Sequence, residues 1–137
     1  MSRKPRILPE QTAEKGYWKH RFVEGMPYKL YRKRQLEDLQ KFGAEKGIAK
    51  LVQEINKYPY MVTCGSCEGH KYIFQLPFVN IAIKKNHAKK VMNKLEEVEN
   101  IEIIEISSTP TKTITIHIKI GELAKQSLIQ KIKDLRK

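Results

Sequence analysis

The segment Cys64-Gly65-Ser66-Cys67-Glu68-Gly69-His70 places two thiols, a carboxyl group and an imidazole close together in the chain. Three kinds of chemistry need such a set. In the first, Cys-x-x-Cys-x-x-His offers a metal ion two thiolates and a ring nitrogen, so Cys64, Cys67 and His70 are candidate zinc ligands. A closed zinc site takes a fourth donor, and with only 2 cysteines in the chain it would come from His20, His87, His117 or a carboxylate. In the second, Cys64 and Cys67 form a disulfide. A redox-active pair would need a helix N-terminus to stabilise the thiolate, whereas the residues after Cys67 lead into a β-prone run. In the third, the segment is a tight loop. Thr63, Gly65, Ser66 and Gly69 then let a ligand approach the main chain closely. Cys67 would serve as a nucleophile and His70 as an acid–base group or phosphate contact, with Glu68 beside them. Against all three stands inert packing, in which Cys67 is a small buried residue and the glycines only make a turn.

The second chemical signal is charge. Lys and Arg number 27 against 15 Asp and Glu, a net charge of +12. The excess is concentrated at the start: residues 1–34 hold ten Lys/Arg against Glu10, Glu14 and Glu24. A surplus of this kind favours polyanionic partners through counterion release. Arg3, Lys4, Arg6, Lys19, Arg21, Arg32, Lys33 and Arg34 form one candidate nucleic-acid-binding set, with Tyr28 and Tyr31 nearby to stack a base. Lys84, Lys85, Lys89 and Lys90 form another. Lys/Glu enrichment for surface ion pairing, as in thermophile proteins, is the competing account, but it would not leave so unequal a balance.

Hydrophobic periodicity defines the elements that must position these groups. Residues 1–31 show no sustained period and read as a basic, aromatic N-terminal arm, with residues 32–137 as a single domain. From Arg32 the pattern turns helical through Leu36, Leu39 and Phe42, breaks near Gly43, and resumes with Ile48, Leu51, Val52 and Ile55 before Pro59. Tyr60–Thr63, Tyr72–Leu76 and Phe78–Ile83 read as short strands, with Pro77 at a corner. Asn86 is placed to cap a helix from about His87 to Glu99. Ile101–Ile106 and Thr113–Ile120 form a hairpin, the latter alternating Ile with Thr, His and Lys. A final helix carries Leu123, Leu128, Ile132 and Leu135. Separate blocks of helix and strand predict an α+β fold, an antiparallel or mixed sheet of about five strands with helices mainly on one face. No apolar run reaches the roughly 20 residues that span a bilayer, and the basic start leads into no apolar signal region, so a cytoplasmic protein without a membrane partner is expected.

The runs Glu45-Lys46-Gly47-Ile48, Leu51–Asn56 and Tyr60–His70 together resemble the start of the tRNA wybutosine-synthesising methyltransferase family. That family has a Lys-Gly helix start, a helix ending Ile-Asn, and a strand leading into Thr-x-Ser-Ser-Cys-Ser-Gly-Arg. Thr63, Ser66, Cys67 and Gly69 match its motif, while Gly65, Glu68 and His70 stand where it has serine, serine and arginine. The resemblance implies S-adenosylmethionine as cofactor and tRNA as substrate. The expectation is a nucleic-acid-binding protein, with RNA favoured and tRNA modification as its specific form. The alternatives are a non-catalytic DNA- or protein-binding adaptor and a metal-stabilised binding module.

Overall fold

Isoleucines at 114, 116, 118 and 120 bury one face of a strand, and the fold is built around that face. The computed structural model describes residues 27–69, 76–109, 113–121 and 123–136. Within them lie β1 (Met61–Cys67), β2 (Phe78–Lys84), β3 (Ile101–Thr109) and β4 (Thr113–Ile120), joined as an antiparallel sheet in the order β1-β2-β4-β3. The described helices are α1 (Tyr28–Phe42), α2 (Ala49–Asn56), α3 (Ala88–Leu95) and α4 (Lys125–Leu135). The α+β architecture is therefore present with four described strands. The expected strand at Tyr72–Leu76 and most of the basic arm fall outside the described residues.

One face of the sheet carries Met61, Val79, Ile81, Ile83, Ile116, Ile118 and Ile120, packed beneath Leu51 and Ile55 of α2, Val91 and Leu95 of α3, and Leu128 and Ile132 of α4. Each such side chain contributes roughly 2 kcal/mol by leaving water. The other face carries Val62 and Ala82, which are cross-strand partners, together with Cys64. Here Tyr31 of α1 packs, so three helices lie on one side of the sheet and α1 on the other. The buried stripe of α1 is Tyr31, Gln35 and Asp38. Gln35 and Asp38 continue the helical period from Tyr31 but give no apolar signal.

Three boundaries differ from expectation. Helix α1 starts at Tyr28, four residues before Arg32, because Pro27 supplies its N-cap with extended backbone and the Pro27 carbonyl accepts the Tyr31 N–H at 3.0 Å. Tyr28 and Tyr31 therefore belong to the folded domain. The α3 helix is preceded by a short 3-10 turn (Lys85–His87), and Asn86 bonds the His87 ring rather than capping the helix. Leu123 precedes α4, in left-handed backbone at φ 68° and 92% exposed, so it takes no part in the apolar stripe of that helix.

Neighbouring side chains occupy the outer margin of β1. The Arg32 guanidinium donates to the carbonyls of Asn56 (2.6 Å) and Met61 (3.4 Å). Asn56 in turn accepts the Thr63 N–H and donates to Thr63 Oγ1, both at 2.9 Å. Exposed strand edges recruit other strands unless they are blocked in this way. No described helix is long and apolar enough to cross a membrane.

Candidate functional site: the cysteine strand and a lysine–aromatic surface

The glycines and serine of the cysteine segment suggested a turn. Residues 61–67 instead form β1, and every one of them is buried. Pairing with β2 is interrupted by a bulge between Thr63 and Gly65, which lets Cys64 turn towards Tyr31. The expected tight loop is corrected in this respect: Thr63, Gly65 and Ser66 are paired within the sheet. Packing against both faces outweighs the local turn preference of Gly and Ser.

Both cysteines are free thiols, so the disulfide is absent. Burial pushes the Cys64 thiol up to about 12, with Tyr31 opposing it slightly. Burial also raises Cys67, against a contact from the Gly69 N–H to its sulfur at 3.4 Å, and Glu45 and Glu68 add to the rise. Neither thiol is poised as a thiolate, which weighs against nucleophilic attack by Cys67. Glu68 is held in a clasp with the α1–α2 connection. Its N–H donates to Glu45 Oε1 at 2.9 Å, and its own Oε1 accepts the Gly47 N–H at 2.6 Å. His70 lies outside the described residues. Among the described residues, no group of three or more His, Cys, Asp or Glu side chains is placed to hold a metal ion.

The candidate cations divide into two kinds. Arg32 is committed to carbonyl oxygens, and its place in the second turn of α1 reflects that structural bond. Lys33 faces solvent. It lies with Tyr28, Lys29, Arg32, Glu37 and Pro59 along a shallow groove beside α1. Arg34 is half-buried. Arg3, Lys4, Arg6, Lys19 and Arg21 are outside the described residues.

Lys84, Lys85, Lys89 and Lys90 gather around the start of α3, where Lys85, Lys89 and Lys90 are exposed. Within this cluster Tyr60 and His87 stack face to face, 3.7 Å between centroids and 7° between planes. Lys84 Nζ lies 6.0 Å from the Tyr60 ring, and the Lys84 N–H donates to the Tyr60 carbonyl at 2.8 Å. His87 is shifted below its ordinary value by partial burial and by Lys84 and Lys90, which favours the neutral, stackable ring. The first turn of α3 holds no acidic residue, so the positive end of its dipole adds to the lysines. A stacked aromatic pair among cations that form no ion pair with a described residue can accept a base and hold the adjoining phosphates.

No protein-family model matches the chain, and no curated protein matches it. The structure of the PH1069 protein from Pyrococcus horikoshii is similar in fold. The two superpose with a TM-score of 0.50 and 15% sequence identity, covering 79% of this chain and 86% of that one. That likeness concerns the α+β architecture.

Sequence reasoning assigned Tyr60 no functional role, and His87 entered only as a possible fourth zinc donor. They are 27 positions apart, and only the antiparallel return of β2 brings them together. The available signal was a histidine embedded in the lysine run, next to an aromatic residue at the foot of the preceding strand.

Proposed function

We propose that the protein binds RNA, with structured tRNA as the favoured class. The observation that carries this reading is the Tyr60–His87 stack, with Lys84 and Lys90 near it, in the run Lys84, Lys85, Lys89 and Lys90 at a helix start without acidic residues. The net charge of +12 supports it. Fluorescence anisotropy with a labelled tRNA tests it. Affinity falls steeply with added salt. The double variant Lys85→Ala/Lys89→Ala, changed only at exposed positions, loses about ten-fold in affinity at physiological salt and has a log–log salt slope shallower by roughly 1.5. Binding indifferent to salt, or unaltered in the double variant, overturns the reading.

The finer form of the proposal is tRNA modification with S-adenosylmethionine, supported by the resemblance at Thr63, Ser66, Cys67 and Gly69. Calorimetric titration of S-adenosylmethionine should then give a saturable signal. A flat titration removes the modifying activity and leaves the RNA-binding reading standing.

A further inference from the structure

The groove beside α1 meets the Tyr60–His87 stack at one turn of the chain. Pro59 lines the groove, and Tyr60 is the next residue. The Tyr28 hydroxyl donates to the Pro59 carbonyl at 3.1 Å and so ties the first turn of α1 to that point. The bond from the Lys84 N–H to the Tyr60 carbonyl extends the β1–β2 ladder one step beyond Met61 and Ile83. Side chains alternate across a strand, so Tyr60 and Lys84 project on the side of Val62 and Ala82, which is the side α1 covers. Stack and groove thus share one face and one end of the sheet.

Within the groove, apolar and cationic groups run together. Tyr28, Leu36 and Pro59 supply apolar lining. Lys29 and Lys33 also line it, both exposed and about one helical turn apart on the same face of α1. Arg32 adds a third positive charge, although its own hydrogen bonds go to carbonyls within the fold. Glu37, the next turn after Lys33, bounds the positive stretch at the end away from the Tyr28–Pro59 bond. With Lys84, Lys85, Lys89 and Lys90 by the stack, cations flank the Pro59–Tyr60 turn on both sides.

We infer that this groove holds the continuation of an unpaired RNA strand whose base meets the Tyr60–His87 stack, with Lys29 and Lys33 contacting its phosphates and the apolar lining its bases. The inference deepens the RNA-binding reading and rests on it. It narrows the substrate to a single-stranded segment, since side chains reach the faces of bases only where these are unstacked, as in loops, bulges and ends. Cations that follow a backbone beside surfaces on which bases lie are the arrangement that holds such strands, whatever their sequence. An acidic peptide is the other occupant the lysines would suit, but it would leave the stack unused.

The test is fluorescence anisotropy on the full chain with a labelled oligouridylate of about twelve nucleotides, within the span of single-strand sites. Lys29→Ala/Lys33→Ala should bind it about ten-fold more weakly than the parent chain, with a log–log salt slope shallower by roughly 1.4, as two single-strand phosphate contacts are lost. Both positions are exposed, and removing a cation from the first turn suits the helix dipole, so Tm should equal or exceed the parent's. Unlabelled polyglutamate, which cannot stack on the rings, should displace the strand about ten-fold less effectively than unlabelled oligouridylate. If Lys29→Ala/Lys33→Ala binds unchanged while Lys85→Ala/Lys89→Ala is weakened, this inference alone falls. Equal displacement by polyglutamate also overturns it, in favour of an acidic peptide. If the parent binds no RNA, or Lys85→Ala/Lys89→Ala binds it unchanged, the RNA-binding reading falls and takes this inference with it.

Discussion

Replacing Asn56 with alanine should destabilise the protein by about 3 kcal/mol. Asn56 closes α2, and its side chain makes both hydrogen bonds to Thr63, at 2.9 Å each. Thr63 is 1% exposed, so neither its N–H nor its hydroxyl can turn to water when the amide is removed. The expected loss thus combines two modest hydrogen bonds with the larger cost of stranding buried polar groups. Urea unfolding should show a lower midpoint with an unchanged slope. Asn56→Asp preserves the acceptor for the Thr63 N–H and can accept from the hydroxyl, so it should lose less than half as much. Equal losses in the two variants would show that the paired geometry is not what stabilises this corner.

Gly121→Ala should cost about 3 kcal/mol or more and lower Tm by roughly 10 °C. A Cβ at Gly121 would clash with the Asn100 carbonyl oxygen. That oxygen also accepts the Gly121 N–H at 2.7 Å, so both partners are backbone and no rotamer relieves the clash. Asn100 itself holds left-handed backbone at φ 64°, and the next pair in the ladder is Ile101 with Ile120. Relief would require separating the start of β3 from the end of β4, beside the isoleucine core. Scanning calorimetry of the variant checks this, and a Tm within 2–3 °C of the parent would show that the turn yields freely.

The parts of this fold that periodicity could reveal are those where apolar residues alone define a face. Leu51, Val52 and Ile55 mark α2, Leu128, Ile132 and Leu135 mark α4, and the alternating isoleucines mark β4; each lies where its spacing places it. Gly43 ends α1, its N–H returned to the Leu39 carbonyl at 2.6 Å, as the break in the pattern implied. The inner stripe of α1 was illegible because, beside Tyr31, it consists of Gln35 and Asp38, polar residues buried by tertiary contacts. Cys64–Cys67 were misread as a loop because Gly and Ser favour turns locally, while burial on both faces decides their state. Arg32 counted towards a basic cluster, yet its charge is spent on two carbonyls that only the folded chain brings near. The cross-strand pair of Asn80 and His117 was half visible: alternation put His117 on the polar face of its strand, but its partner comes from register, which no local pattern encodes.

The treatment of β1 by Arg32 and Asn56 has a consequence for self-association. Fibrillar growth through a sheet requires every added unit to present a fresh, unoccupied border. Here the start of one border is already occupied, the chain's own guanidinium and amide groups holding the Met61 carbonyl and the Thr63 N–H, while on β3 Glu102, Ile104 and Glu105 face solvent. A strand added at the start of β1 would first have to displace those groups, and one added along β3 would meet the charges of Glu102 and Glu105.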